Sequence, residues 1–170
     1  MKLFKGHVHP WWDEEFKSLP YETRPFTDPE TLNIWQQQYG YNKLNFGGNV
    51  FDMSNTMPSF SKNFFTLMPW NNVSITFFQM VTNDILPIHV DKYSKYKRVY
   101  NILDTSTIFR CIVFLEDWKS GHYLEVNNIP VLPWKKGDYV YWNNDTPHFA
   151  GNFGIEPRYT LQITGTYVQN

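Results

Sequence analysis

Residues 73–167 alternate short β-branched and aromatic runs with turn residues, and no helical period separates the runs. Runs rich in Val, Ile, Thr, Tyr, Phe and Trp predict strands, because these side chains suit a pleated, half-buried surface. Many short strands without helices between them favour antiparallel pairing, and their spacing predicts a double-sheet jelly roll. The predicted strands are Val73–Met80, Ile88–Asp91, Phe109–Leu115, Tyr123–Val126, Asp138–Trp142, His148–Ala150 and Arg158–Tyr167.

The first part of the chain contains one clear helix start. Thr27 or Asp28 can cap a helix whose first turn contains Pro29, and Glu30 occupies the position that a capping box requires. Gly40 is a typical helix end. A partial apolar stripe at helical spacing lies between these signals and consists of Leu32, Ile34, Trp35 and Tyr39.

The length of the chain predicts a single domain over residues 1–170. We expect residues 1–72 to form helical or irregular support, since residues 41–72 are rich in Asn, Gly, Ser and Pro. Residues 73–170 are expected to form the jelly-roll core. The predicted fold class is therefore mainly β, with one or two N-terminal helices.

Charge and cysteine content exclude several classes of function. The formal net charge is −1, so no global field attracts nucleic acid or an anionic membrane, and no basic stripe accompanies the abundant aromatic residues. We expect neither a membrane span nor a signal peptide, because no apolar run approaches the required length. Cys111 is the only cysteine, which predicts a reducing, cytoplasmic compartment.

His89, Asp91 and His148 are candidate ligands of a metal ion. His89 and Asp91 are two residues apart in a predicted strand, so their side chains share a face, with Cα atoms on the order of 6.5 Å apart. His148 comes from another predicted strand, which a jelly roll can bring close. Two imidazoles and one carboxylate on one face of an ion leave positions open for substrate and oxygen, as in non-haem Fe(II) sites. The alternative stays open, because a His-x-Asp pair is common by chance and His148 alone could be a turn or core histidine.

Arg158 follows His148 by ten residues, and a hairpin between them would place the two side chains opposite each other on neighbouring strands. Thr160 shares the face of Arg158. A buried, unpaired arginine would cost several kcal/mol, whereas an anionic ligand would resolve the problem, since a guanidinium offers a fixed fork for a carboxylate. The alternative is an internal ion pair, with either Glu116 or Asp138.

Taken together, His89-x-Asp91, His148 and Arg158-x-Thr160 resemble the signature of Fe(II)/2-oxoglutarate-dependent oxygenases. The segment GDYVYWNNDTPHFAGN and the following EPRYTLQITG are similar to the distal strands of that superfamily. The closer likeness is to aspartyl/asparaginyl β-hydroxylase-like proteins and to small hydroxylase-like proteins encoded by phages. This resemblance implies a double-stranded β-helix, that is, a cupin-like jelly roll.

The resemblance also implies roles for these residues. His89, Asp91 and His148 would be the catalytic ligands of Fe(II), with 2-oxoglutarate and O₂ as cosubstrates. Arg158 would bind the distal carboxylate of 2-oxoglutarate, and Thr160 could assist with a hydrogen bond. Succinate and CO₂ would be released as a C–H bond of the substrate is hydroxylated.

Two weaker candidates for binding 2-oxoglutarate are Arg110 and Gln79. Arg110 occupies the place where the aspartyl-hydroxylase-like group has an arginine that reaches the other end of the cosubstrate, although an inter-strand salt bridge is an equal alternative. Ile112 stands where that group usually has a histidine, and its ligand pattern often lacks the carboxylate that Asp91 supplies. Because related halogenases replace this carboxylate, its presence favours hydroxylation.

The partners follow from the same resemblance. The expected substrate is a protein side chain or a small molecule, with no membrane partner and with nucleic acid disfavoured. If the protein is phage-encoded, its location would be the host cytoplasm. Two other functions remain open: a non-catalytic jelly-roll binding module, and a cupin-type metalloenzyme that does not use 2-oxoglutarate.

Overall fold

The computed structural model of the chain describes residues 3–40 and 46–167, and these form two antiparallel sheets. Residues 41–45, part of the segment expected to be irregular, lie outside the described residues. The strands, numbered in chain order, are β1 Phe4–His7, β2 Glu22–Pro25, β3 Gly47–Asp52, β4 Asn71–Met80, β5 Ile85–His89, β6 Ile108–Phe114, β7 His122–Val126, β8 Ile129–Pro130, β9 Asp138–Asn143, β10 His148–Asn152 and β11 Arg158–Thr166. The helices are α1 Pro29–Tyr39 and α2 Ser94–Tyr100, with short 3₁₀ helices at Glu15–Ser18, Ser59–Thr66 and Thr105–Thr107.

The larger sheet has seven strands in the order β1-β9-β6-β11-β4-β3-β2, and the smaller has four in the order β5-β10-β7-β8. Strand β11 lies at the centre of the larger sheet, with β4 on one side and β6 on the other. All but one of its residues are buried, and apart from Arg158 and the partly exposed Gln162 the strand consists of apolar residues, threonines and a tyrosine. The mainly β architecture predicted from the sequence is confirmed.

Two apolar clusters lie on the two faces of the larger sheet. One contains Phe77 and Leu161 and packs against residues from the first part of the chain, including Trp12 and Phe16. The other contains residues of both sheets and therefore lies between them. Its largest members include Phe114, Trp134 and Trp142. The alternation of side chains along each strand thus separates a closed core from a second layer in which the functional residues lie.

Helix α1 forms as its start and stop signals predict. The Asp28 carboxylate accepts the backbone N–H of Thr31 at 2.9 Å, Pro29 is in the first turn, and Gly40 ends the helix with a φ of 68°. Because Asp28 is the cap, the third helical position belongs to Thr31 and not to Glu30, so the expected capping box is wrong. No helix among the described residues is long and apolar enough to span a bilayer.

Residues 1–72 contribute more sheet than expected, and this corrects the sequence-based interpretation. Strands β2 and β3 extend the larger sheet beyond β4, and β1 pairs with β9 at its other edge. Position 73 therefore marks no structural boundary. The reason is physical: β1 and β2 are edge strands with largely exposed residues, so they carry no apolar alternation that a sequence could reveal.

The predicted hairpin between β10 and β11 is also wrong. Strand β10 pairs with β5 and β7, whereas β11 pairs with β4 and β6, so the connection crosses from one sheet to the other. The buried Asn152 side chain holds this crossing, donating to the carbonyls of Met80 at 2.9 Å and Glu156 at 2.8 Å. His148 and Arg158 therefore belong to opposite sheets.

Candidate metal centre

His89, Asp91 and His148 converge at one end of the space between the sheets. His89 ends β5 and His148 begins β10, and the two residues are direct partners in the strand register. Asp91 lies just beyond β5, not within a strand as predicted. One Asp91 oxygen, Oδ1, is 3.8 Å from His89 Nε2, and the other, Oδ2, is 3.8 Å from His148 Nε2. One ligand atom from each residue lies within 4.8 Å of the other two, so all three can reach a single ion.

Backbone carbonyls orient both imidazoles for metal binding. The Nδ1 atom of His89 lies 2.6 Å from the carbonyl oxygen of Pro87, and that of His148 lies 3.0 Å from the carbonyl oxygen of Thr146. Because a carbonyl only accepts, Nδ1 carries the proton and donates, which leaves the Nε2 lone pair free in the neutral ring. Burial lowers the pKa of His148 to about 4, so this ring is neutral at physiological pH. The donor set fits Fe(II) in a site with open positions.

A cavity of about 440 Å³ extends from these three residues through the space between the sheets. Its inner wall includes the predicted residues Arg110, Arg158 and Thr160. Its outer wall is formed by residues 24–29 on one side and by residues after β5 on the other, namely Val90, Lys92 and Ser94. The three candidate metal ligands and the two arginines therefore share one chamber.

Arg158 is a buried cation without an anionic partner among the described residues. It is only 3% exposed, its Nη1 lies 3.0 Å from the sulfur of Met80, and its guanidinium carbon lies 5.4 Å from the ring centre of Trp134. Its Nε is buried without a hydrogen-bond partner in the described parts of the chain. Burial lowers the pKa of Arg158 to about 10. The arginine has polarisable neighbours and no counter-charge.

The two internal ion pairs considered for Arg158 do not form. Glu116 pairs with Lys17 and Lys119. Asp138 is bonded to His7 at 2.8 Å. The charge of Arg158 is thus available to a ligand of the cavity.

Arg110 binds the candidate metal ligand Asp91. Its Nε and Nη2 lie 3.1 Å and 3.0 Å from Oδ2 of Asp91, and its Nη1 donates to Oε1 of Gln162 at 3.0 Å. Burial alone would raise the pKa of Asp91, but Arg110, His148 and His89 outweigh it and lower the pKa well below its usual range. Arg110 therefore forms a salt bridge, as the alternative foresaw, but its partner Asp91 lies beyond the end of β5 and belongs to the candidate metal centre, so the salt bridge does not join two strands.

Thr160 and Gln79 lie on opposite faces of the larger sheet. Thr160 is 2% exposed and lines the cavity beside Arg158, as predicted. Gln79 instead donates to the Tyr159 hydroxyl at 3.1 Å and accepts from Asn49 at 3.2 Å, away from the cavity. The register pairs Tyr159 with Gln79, and side chains alternate, so Gln79 faces away from the Arg158 side. Its predicted contact with 2-oxoglutarate is therefore corrected.

Four residues of the site escaped the sequence analysis. Gln162 continues the two-residue series of Arg158 and Thr160, so that signal was present. Phe26 packs its ring edge against His89 with centroids 4.8 Å apart, and nothing in the sequence around Phe26 indicates this. The remaining two, Met80 and Trp134, surround the Arg158 guanidinium and read as ordinary core residues in sequence.

Comparisons with known proteins identify the fold. No family model matches the chain, and no curated protein sequence matches it. A prolyl-4-hydroxylase from Pseudomonas putida matches with a TM-score of 0.55 and 12% identity, covering 92% of this chain and 97% of that chain. A predicted oxalate decarboxylase from Thermotoga maritima matches with a TM-score of 0.44 and 11% identity over 71% of this chain and 82% of that one. A Klebsiella pneumoniae protein with a double-stranded β-helix domain matches with a TM-score of 0.40 and 14% identity over 59% and 72%.

At these identities the similarity shows the fold alone. The chain shares its fold with the prolyl-4-hydroxylase, and its two antiparallel sheets form the double-stranded β-helix that the resemblance implied. The narrower likeness to aspartyl/asparaginyl β-hydroxylase-like and phage-encoded proteins stays a prediction.

Proposed function

We propose that this protein is an Fe(II)- and 2-oxoglutarate-dependent dioxygenase that hydroxylates a protein side chain or a small molecule. The observation that carries the proposal is the uncompensated charge of Arg158 in the same chamber as a two-histidine, one-carboxylate set. A metal centre alone gives Arg158 no task. A diacid bound through one end at the metal and through the other at Arg158 would use both features.

Each residue has a defined task in this proposal. His89, Asp91 and His148 would hold the ion through Nε2, a carboxylate oxygen and Nε2. When bound, Fe(II) and 2-oxoglutarate together supply the oxidising chemistry that activates O₂ and yields succinate and CO₂. Arg158 would donate to the distal carboxylate through Nε and its outer nitrogens, forming the charge-assisted bonds that a guanidinium fork favours.

Thr160 and the apolar lining complete the diacid site. The buried Thr160 hydroxyl lies on the cavity wall and can donate to the same carboxylate. Phe78, Leu124 and Trp142 line the chamber and limit the water that reaches the metal end. In a low-dielectric chamber the ion pair between Arg158 and the diacid is stronger than it would be in water.

The substrate would enter between residues 24–29 and the segment that follows β5. Phe26 touches His89, and Lys92 follows Asp91 directly, so both sides of this entrance reach the metal centre. Arg158, by contrast, begins β11, the central strand of the larger sheet. We therefore propose this entrance as the place where the hydroxylated group is presented.

The test is anaerobic reconstitution with Fe(II) and 2-oxoglutarate, followed by measurement of succinate after exposure to air. We expect iron-dependent succinate, including slow turnover without substrate, and its loss in Arg158→Met. The matched control is Arg98→Met, which removes an exposed arginine from α2. Iron binding without 2-oxoglutarate consumption would favour a cupin-type metalloenzyme, and a folded protein that binds no iron would favour a binding module.

A further inference from the structure

The two oxygens of Asp91 have different surroundings. Both guanidinium contacts are made to Oδ2, from Nε at 3.1 Å and from Nη2 at 3.0 Å. The other oxygen, Oδ1, is the one nearest to His89 Nε2, at 3.8 Å. Both oxygens thus lie near an imidazole, since Oδ2 is also 3.8 Å from His148 Nε2, but only Oδ2 is in addition occupied by two guanidinium N–H groups.

Arg110 is held rigidly in this position. It lies on β6, in the interior of the larger sheet, and its side chain is 14% exposed. Gln162 on the neighbouring strand β11 accepts from Nη1 at 3.0 Å, and the guanidinium carbon lies 5.2 Å from the ring centre of Tyr93. The β6 backbone, the Gln162 amide and the Tyr93 ring together restrict movement of the Arg110 guanidinium away from Asp91.

A carboxylate can bind a cation through one oxygen or through both. Two charge-assisted N–H donors on Oδ2 occupy the lone pairs that a second bond to the ion would need, and the positive charge of Arg110 repels a cation from that edge. Oδ1 accepts neither of these N–H groups, so its lone pairs are available to an ion. The ion pair between Arg110 and Asp91 thus favours binding of the metal through one carboxylate oxygen.

We propose that Arg110 is a positioning residue that keeps Asp91 a one-oxygen ligand and so reserves an open position on the metal. This inference rests on the metal centre of the proposed function. With one atom each from His89, Asp91 and His148, half the positions of an octahedral ion stay open. A two-point chelating cosubstrate and O₂ together need all of them, so a carboxylate bound through both oxygens would block the reaction.

The test counts water on the Mn(II)-loaded protein and needs no 2-oxoglutarate. Open positions on Mn(II) hold exchangeable water, which sets the proton relaxivity of the solution. In Arg110→Met, Asp91 is free to bind through both oxygens, and we expect the relaxivity to fall by about a third as one of the open positions closes. Arg110→Lys, which retains a cationic donor, should keep most of the wild-type value, and Arg98→Met should keep all of it.

A double substitution shows whether Arg110 acts through Asp91. In an Asp91→Asn background, where the side chain retains a single oxygen ligand, Arg110→Met should leave the relaxivity of the Mn(II)-loaded protein unchanged, because an amide cannot change to two-oxygen binding. A structural role of Arg110 would not produce this dependence. Unchanged relaxivity in folded, Mn(II)-loaded Arg110→Met, or an equal fall in the Mn(II)-loaded Asp91→Asn background, overturns the proposal.

Counting the water molecules bound to Mn(II) in the wild-type protein tests the proposal even if Arg110→Met does not fold. Line broadening of the Mn(II) signal in ¹⁷O-enriched water should show half of an octahedral shell as water. A smaller number means that Asp91 already binds through both oxygens and overturns the inference. The expected water count without any succinate formation would instead reject the 2-oxoglutarate chemistry alone, whereas no Mn(II) binding at all would reject both.

Discussion

Arg110 and Arg158 both line the cavity between the sheets, yet they are held in opposite ways. Arg110 has a carboxylate, an amide oxygen and an aromatic ring around it. Arg158 has a thioether, an indole ring and an unpartnered Nε. The same side chain is thus part of the folded framework at one end of the chamber and available for a ligand at the other. The counter-charge, and not the burial, separates the two roles.

The largest expected effect on stability is at Arg110, whose charge is paired with that of Asp91. Without metal, Arg110→Met leaves the largely buried Asp91 carboxylate, whose side chain is 21% exposed, without its cationic partner, and we expect the free energy of unfolding to fall by about 3 kcal/mol. Urea unfolding in the presence of a chelator measures this. In an Asp91→Asn background the same substitution should have a much smaller effect, since the charge is gone. A loss below about 1 kcal/mol would show that Arg110 and Asp91 are not a tight pair.

Binding of a metal ion by His89, Asp91 and His148 should stabilise the folded protein. At a free metal concentration of about 100 times Kd, a site that exists only in the folded state adds about 2.7 kcal/mol. Thermal unfolding with Mn(II) or Fe(II) measures the shift, and a chelator should reverse it. His148→Ala should abolish the shift, while His7→Ala, which changes an exposed histidine, should retain it. Equal shifts in these two variants would argue against the metal centre.

Arg158→Met should have the opposite sign from Arg110→Met. It removes a buried charge that has no partner, so we expect the ligand-free protein to gain about 1–2 kcal/mol of unfolding free energy. Conversely, 2-oxoglutarate with metal should stabilise the wild type and not the variant. A clear loss of stability in Arg158→Met without ligand would mean that its contacts with Met80 and Trp134 outweigh the cost of burying the charge.

The smallest effect lies outside the chamber, at Asp52. Hydrogen bonds from the Ser54 hydroxyl and backbone outweigh burial, and Lys95 and Arg24 assist, so the pKa of Asp52 is lowered to about 2. A lowered pKa stabilises the folded state above the unfolded value, near pH 4, and this contribution disappears as the pH falls towards 2. We expect Asp52→Asn to remove about 1 kcal/mol of the stability lost between pH 5 and pH 2. Parallel stability curves for wild type and variant would contradict this.

The candidate site residues were the easiest to predict. His89 and Asp91 on one predicted strand, His148 on another and Arg158 at the start of a third matched the oxygenase signature as a set, so residue type and spacing pointed to them. The capping signals around Asp28 and Gly40 were similarly local and gave the bounds of α1. These predictions did not depend on strand pairing.

Predictions that needed the register failed. Gln79 was assigned to the cavity, but which face of β4 it occupies depends on the pairing with Tyr159 on β11, which lies far along the chain. The hairpin between β10 and β11 failed for the same reason, because a turn-rich connection does not reveal whether it stays in one sheet. Arg158 reaches the chamber nonetheless, since the two sheets face each other.

The bond from each ligand histidine to a main-chain oxygen two residues earlier has a consequence for divergence. A peptide carbonyl is present whatever side chain occupies positions 87 and 146. The orientation of both imidazole rings therefore depends on the backbone and not on the side chains at these two positions. Substitutions that reshape the chamber walls can accumulate without changing the hydrogen bonds that orient His89 and His148. Under the proposed function, related proteins could therefore differ in substrate and keep the same metal-binding residues.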